Sequence, residues 1–221
     1  MNLYVVIPAL NEEAYVGEIV SGICRLGFDV VVIDDGSRDS TGETARQNGA
    51  HVIRHAIRQG KGASLRDGFQ HALTQGCDAV VTMDGDGQHA VSDLPAFIEK
   101  FENEPGYGVI NGSRMLSCRS MPKVRLYTNR LMSALISWLC RQRIADTQCG
   151  FRLIRADVLR KVTLRSAGFQ IESELLIEAA RAGFTIGSVP IQTIYSDEKS
   201  SINPVVDTFR FIGFFINQLF R

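Results

Sequence analysis

Two carboxylates separated by one glycine, in the run Asp84-Gly85-Asp86-Gly87-Gln88-His89, are the side chains of this sequence best suited to chemistry. They follow the apolar stretch Ala79-Val80-Val81-Thr82-Met83, so a buried strand would deliver both acids to the edge of a pocket. Carboxylate oxygens are hard ligands for Mg²⁺ or Mn²⁺, and an ion held by few protein groups keeps positions open for substrate phosphates. The pair therefore points to a nucleotide diphosphate. A surface turn is the commonest meaning of an Asp-Gly dipeptide, but it leaves the strand running into the pair unexplained. A calcium loop is rejected, because its sixth position would be His89 and its twelfth Pro95. Gly85, Gly87 and Ala90 satisfy a loose dinucleotide fingerprint, yet Asp84 and Asp86 would then set negative charge against a pyrophosphate.

Positioning such acids takes a sheet, and the sequence supplies one. Residues 3–7 read as a strand ended by Pro8, and Asn11 is placed to cap a helix whose apolar face is Val16, Ile19, Val20 and Ile23. Residues 30–33 form the next strand, which runs into Asp34-Asp35-Gly36-Ser37. Ser40 and Glu43 then have capping-box spacing for a helix that Gly49 can end. A short strand over 51–54 and the loop Arg58-Gln59-Gly60-Lys61-Gly62 precede a helix with Leu65, Phe69, Ala72 and Leu73 on one face, closed by Gly76. Leu94, Phe97, Ile98 and Phe101 mark another helix, and residues 108–111 another strand, ending at Gly112-Ser113-Arg114. Strands alternating with helices predict an α/β fold, a mostly parallel central sheet with helices on both faces. Ligands of such sheets bind beyond the carboxyl ends of the strands, where Asn11-Glu12, Asp34-Asp35, residues 58–61 and residues 84–88 would share one pocket.

Composition narrows the classes. Lys plus Arg equals Asp plus Glu at 24 each, so no global field recruits nucleic acid. Five scattered cysteines without paired spacing fit a reducing cytoplasm. Asn11, Glu12 and Glu13 interrupt any signal-like apolar core, and no run of 18 residues is apolar enough to span a bilayer. Gly60-Lys61-Gly62 lacks the spacer of a phosphate-binding P-loop, and neither a His-Glu-x-x-His nor a Gly-x-Ser-x-Gly motif occurs. His51 and His55, four apart, read as structural or solvated rather than as metal ligands.

Three segments, Val5-Val6-Ile7-Pro8-Ala9-Leu10-Asn11-Glu12, Val32-Ile33-Asp34-Asp35-Gly36-Ser37 and Asp84-Gly85-Asp86-Gly87-Gln88-His89, resemble family 2 glycosyltransferases of the GT-A fold. Gly112-Ser113-Arg114, Asp146-Thr147-Gln148-Cys149-Gly150-Phe151 and Glu172-Ser173-Glu174 resemble its dolichyl- or polyprenyl-phosphate hexose transferases, so the likeness runs from residue 3 to about 200. The resemblance implies that Pro8, Leu10, Glu12, Asp34, Lys61 and Asp84 bind the nucleotide of a UDP- or GDP-sugar. It implies Asp84, Asp86 and Gln88 as ligands of Mg²⁺ or Mn²⁺, with Asp84 and Asp86 as the catalytic pair. Arg114 and Arg125 would clamp the acceptor phosphate. The implied reaction is a metal-dependent, inverting transfer of a hexose to a polyprenyl or dolichyl phosphate.

A phosphate acceptor is largely ionised at neutral pH and needs no strong base, whereas a hydroxyl acceptor would need one, with His89 or Asp86 as candidates. A transferase with a soluble hydroxyl acceptor, a nucleotidyltransferase and a non-catalytic nucleotide-sugar-binding membrane protein stay open as alternatives.

Residues 119–143 hold Arg119, Lys123, Arg125, Arg130, Arg141 and Arg143 without an acid, interleaved with Leu131, Leu135, Trp138 and other apolar residues. That pattern suits an amphipathic helix near 124–141 lying on an anionic bilayer surface, or a core or dimer helix. Residues 205–221 would form a helix apolar around most of its circumference, to be covered by its own domain, a second subunit, a membrane-protein partner or lipid. The expected organisation is a GT-A domain over 1–203 and a C-terminal helix over 204–221, peripheral on the cytoplasmic face of a membrane.

Overall fold

The computed structural model describes residues 1–116, 123–192 and 204–220. Each β-branched run of the first part becomes a strand: β1 (Leu3–Ala9), β2 (Asp29–Asp34), β3 (His51–Arg54) and β4 (Ala79–Thr82). The intervening helices are α1 (Val16–Arg25), α2 (Thr41–Gln47) and α3 (Lys61–Thr74). Then follow α4 (Leu94–Asn103), β5 (Tyr107–Ser113), α5 (Lys123–Cys140), β6 (Arg152–Arg155), α6 (Ala156–Lys161), α7 (Gln170–Arg181), β7 (Thr185–Pro190) and α8 (Pro204–Leu219). The strands make one seven-stranded sheet in the order β3-β2-β1-β4-β6-β5-β7. It is the mostly parallel sheet expected, with β6 alone reversed against both neighbours, β4 and β5.

Side chains alternate across each strand, and this divides the core in two. Val5 and Ile7 of β1 join Val16, Ile19, Val20 and Ile23 of α1, with α2 and α4 on the same face. Val6 points to the other face, where Leu65 and Phe69 of α3, Ile136 of α5, Leu175 of α7 and Phe211 of α8 pack. Burying an aliphatic or aromatic side chain of this size contributes about 1.5–3 kcal/mol. Two layers of helices therefore hold the carboxyl ends of β1, β2 and β4 in fixed register.

Two capping expectations are corrected. Asn11 does not cap α1, which begins at Val16 after Tyr15; Asn11 adopts a positive φ of 58°. Its Oδ1 accepts the Arg38 N–H at 2.9 Å and its own N–H donates to Ser37 Oγ at 3.0 Å. The Ser40–Glu43 box does not close either, because the Ser40 N–H donates to Glu13 Oε2 at 2.9 Å and Glu43 pairs with Arg46 at 3.2 Å. In both places the loop after β1 is tied to the loop after β2, by the Asn11 side chain in the first and by the Glu13 side chain on the Ser40 N–H in the second. That cross-link fixes two of the four polar clusters relative to each other.

On α5, Ile136 and Cys140 are buried while Tyr127, Leu131 and Trp138 point outward. On α8, Phe211 and Gln218 are buried, Arg181 of α7 donating to Gln218 Oε1 and to its carbonyl at 2.7 and 2.6 Å. Ile216, Leu219 and Phe220 remain exposed. Among the described residues no helix is long and apolar enough to cross a membrane.

Candidate active site

Pro8, Lys61, Asp84, Gly150, Arg152 and Glu172 are among the residues that line one small pocket at the carboxyl ends of the strands. Lys61 is the first residue of α3, and its Nζ donates to Asp84 Oδ1 at 2.5 Å and to Glu172 Oε1 at 2.6 Å. Burial alone would favour a neutral amine, yet the two carboxylates outweigh it and hold the ammonium above its ordinary pKa. Burial likewise pushes the Asp84 carboxyl up, and the charge on Lys61, with smaller contributions from His89 and Arg114, pulls it down to about 2. Gly150 closes in from the loop before β6: a Cβ there would sit 2.7 Å from Asp84 Oδ2 and 2.8 Å from Glu172 Oε1. Any larger residue would collide with the pair.

Asp86 has the opposite balance. Burial raises its pKa, and the neighbouring charge of Asp84 raises it further. Its Oδ1 accepts the Gln88 N–H at 3.0 Å, which shapes the turn between them. A divalent cation would relieve the repulsion between the two carboxylates, and the Gln88 amide is a neutral oxygen donor nearby in sequence. Among the described residues no three His, Cys, Asp or Glu side chains gather into a metal-holding group. Asp84 and Asp86 are hard carboxylate donors of the kind that Mg²⁺ or Mn²⁺ takes. His89 is buried against Phe151, its Nδ1 accepts the Asp84 N–H at 3.4 Å, and burial lowers its pKa. It is part of the loop's scaffold.

The nucleotide candidates divide. Pro8 and Lys61 line the pocket with Asp84. Leu10 lies just beyond β1 and is half-buried. The Glu12 N–H donates to Thr41 Oγ1 at 2.8 Å, and a Cβ on Gly85 would lie 3.5 Å from Glu12 Cγ, so the first loop adjoins the acidic one. Asp34 is fully buried. Its Oδ1 accepts the Ser37 N–H at 2.8 Å, while its Oδ2, 3.5 Å from Arg54 Nε, has no hydrogen-bond partner.

Arg114, at the end of β5, is gripped by Asp146: Nε donates to Oδ2 at 2.8 Å and Nη2 to Oδ1 at 3.0 Å. Nη2 also donates to the Gln148 carbonyl at 2.8 Å. Burial would lower the guanidinium pKa, and Asp146 outweighs it. Arg125 lies on α5, and its side chain is outside the described residues. Arg119 also falls outside them.

Sequence reasoning gave Arg152 and Glu172 no role and read His55 as structural or solvated without finding its partners. Arg152 is 1% exposed and donates Nε to the Cys149 carbonyl at 2.8 Å, Nη2 to that of Thr147 at 2.9 Å and Nη1 to that of Glu172, so it clamps the 147–149 loop onto α7. Glu172 stood in a matching segment without a role, and no local spacing could link it to Lys61, 111 residues away. His55 is buried with carboxylates at both ring nitrogens.

A model of glycosyl transferase family 2 matches residues 4–163. A dolichyl-phosphate hexose transferase of Haloferax volcanii is 33% identical over 193 residues, 86% of this chain and 82% of its own. A UDP-N-acetylglucosamine–dolichyl-phosphate N-acetylglucosaminyltransferase of Methanococcus voltae is 30% identical over 218 residues, 88% of this chain and 86% of its own. In fold, the chain is similar to glucosyl-3-phosphoglycerate synthase of Mycobacterium tuberculosis, crystallised with Mn²⁺, UDP and glucosyl-3-phosphoglycerate. The TM-score is 0.75 at 22% identity, over 99% of this chain and 78% of that one.

Proposed function

We propose that this chain, which belongs to glycosyl transferase family 2, moves a hexose from a UDP- or GDP-sugar to a polyprenyl or dolichyl phosphate. The observation that carries the reading is the acidic turn after β4, where Asp86 is raised by burial and by the charge of Asp84, and Asp84 is shared with Lys61. An unbalanced carboxylate pair in that place is a seat for a cation and the diphosphate it carries. The acceptor class rests on the names of the relatives.

The residues divide the work. Pro8 lines the pocket, and Leu10, Glu12 and Asp34, at the carboxyl ends of β1 and β2, would extend that side toward the nucleoside. Asp84, Asp86 and Gln88 would hold Mg²⁺ or Mn²⁺, which when bound supplies Lewis-acid stabilisation to the departing diphosphate. Lys61 adds a fixed positive charge at the same end. Arg114 and Arg125 are the cationic groups for the acceptor phosphate. An oxygen of that phosphate attacks the anomeric carbon as the carbon–oxygen bond to the nucleoside diphosphate breaks. The products are the sugar-linked lipid phosphate and the free nucleoside diphosphate, with the anomeric centre inverted. The acceptor oxygen is already ionised, so the protein contributes position and electrostatics instead of a general base.

The outward Tyr127, Leu131 and Trp138 of α5, flanked by the exposed Arg130 and Arg141, form the surface that would meet anionic lipid on the cytoplasmic face. The exposed Ile216, Leu219 and Phe220 of α8 offer a second apolar contact, to lipid or to a partner subunit.

The test is transfer from labelled UDP- and GDP-sugars to a short polyprenyl phosphate with Mn²⁺. The expected product is a lipid-linked sugar with release of nucleoside diphosphate. Asp86→Asn should lower turnover by at least about 10³-fold, with circular dichroism and melting temperature close to wild type. Unchanged metal-dependent transfer in that variant would overturn the assignment, and sugar appearing only on soluble alcohols would replace the acceptor.

A further inference from the structure

We infer that His55 is a positioning residue: held between Asp35 and Asp67, it fixes the backbone turn at Gln59 and Gly60 that delivers Lys61 to the pocket. The inference rests on the proposed function only in taking Lys61 to face the donor; the geometry is independent of it.

His55 follows β3, its N–H donates to the Asp34 carbonyl at 2.9 Å, and its ring is buried. Nδ1 lies 2.7 Å from Asp35 Oδ1 and Nε2 lies 2.9 Å from Asp67 Oδ2. A carboxylate only accepts, so the ring satisfies both neighbours with a proton on each nitrogen. Asp35, 4% exposed, spends its remaining capacity on backbone: Oδ1 accepts the Gln59 N–H at 2.7 Å and Oδ2 the Gly60 N–H at 2.8 Å. Gly60 takes a φ of +96° that glycine adopts without strain, and a Cβ there would sit 2.6 Å from the Ala167 carbonyl oxygen. The next residue is Lys61, bonded to Asp84 and Glu172. One buried carboxylate thus folds the loop ahead of α3, and the imidazolium is the charge that lets it stay buried.

The charges facing His55 are Asp35, from the loop after β2, and Asp67, from α3. Burial alone would lower the imidazole, and these two partners outweigh it and raise it above its ordinary value. With a raised folded-state pKa, the contribution is complete below the unfolded value near 6.5 and is lost as pH rises through the folded value. Deprotonation would leave a ring lone pair facing a carboxylate, and Asp35 would loosen its hold on residues 59 and 60.

Amide hydrogen exchange on the donor-free chain tests this directly. In His55→Gln, which offers one donor group and no charge, the Gln59 and Gly60 amides should exchange about tenfold faster or more, while those of Val6 and Val81 keep wild-type protection. Asp67 is half-exposed, so Asp67→Asn folds without burying an unpaired group, and it should move the histidine titration seen by NMR to lower pH. Unchanged protection at residues 59 and 60 in His55→Gln, or a titration indifferent to Asp67→Asn, overturns the inference. With donor present, His55→Gln should raise the donor KM by more than it lowers kcat and should flatten the alkaline limb of donor binding. If wild type binds neither UDP nor GDP, the proposed function fails, and the exchange result still decides the role of His55.

Discussion

In one cluster of this site an ammonium, Lys61, is shared between Asp84 and Glu172 at 2.5 and 2.6 Å; in the other a guanidinium, Arg114, grips Asp146 at 2.8 and 3.0 Å. An ammonium is a point charge with no preferred plane, so another cation can take its place beside a carboxylate at small geometric cost. A guanidinium fork is planar and meets both oxygens at once, and here it also holds the Gln148 carbonyl at 2.8 Å. Asp84 can therefore be handed from Lys61 to an incoming cation, whereas Asp146 cannot leave Arg114 without opening the loop that follows it. The two clusters share their charges and differ in whether the pairing is exchangeable. On the proposed function the exchangeable cluster would face the donor, and Arg114 would meet the acceptor phosphate from a position that Asp146 fixes.

The hardest way to break this contrast is at Arg114. Arg114→Ala leaves Asp146, which is fully buried, without its partner, and should cost about 3–5 kcal/mol of stability, read from denaturant unfolding. Arg114→Lys keeps the charge and loses the fork, so it should fall between that variant and wild type. A cost below about 1 kcal/mol for Arg114→Ala would place Arg114 with the exchangeable ions. In that event its hold on an acceptor phosphate would become its main role.

A smaller effect is expected at the other cluster, and pH reveals it. The folded-state pKa of Asp84 is about 2 against an ordinary value of 3.8, so its contribution is present above the unfolded value and disappears as pH falls through the folded one. That window holds about 2 kcal/mol at most. Lys61→Met removes the cause, so urea unfolding between pH 5 and pH 2 should show a shallower acid loss than in wild type. An identical acid limb would mean that Lys61 does not govern Asp84.

The same contrast explains what the sequence allowed one to read. Strands β1 to β4 were legible because β-branched runs end in acidic or glycine-rich turns, and each turn carries its chemistry locally. The acidic turn after β4 followed from that alone, and of the four clusters expected to share a pocket, Lys61 and Asp84 line the one described. β6 was not, because its Arg-Leu-Ile-Arg sequence looks like surface; the first arginine is buried only because three backbone carbonyls receive it. Asn11 and Ser40 misled for a related reason, since their groups bond across loops that sequence order does not show as neighbours. Residues that act through a long-range partner, such as Glu172, Arg152 and His55, carry no period or spacing to betray them.

The mildest effect is expected at an exposed ion pair. Arg160 and Asp157 of α6 pair at 2.9 Å, close to the Arg114–Asp146 distance of 2.8 Å, but their side chains are 53% and 77% exposed. Water already solvates both ions, and holding two long side chains in one geometry costs entropy, so Arg160→Ala should change stability by less than about 0.5 kcal/mol and less still in high salt. Arg114→Ala and Arg160→Ala, compared in the same buffer, hold charge type and shortest distance nearly constant and differ in solvent access and in the fork's extra bonds to the second Asp146 oxygen and the Gln148 carbonyl. If the exposed pair proved as costly to break as the buried fork, neither burial nor the fork would set the cost, and the division of this site into an exchangeable and a fixed cluster would lose its physical basis.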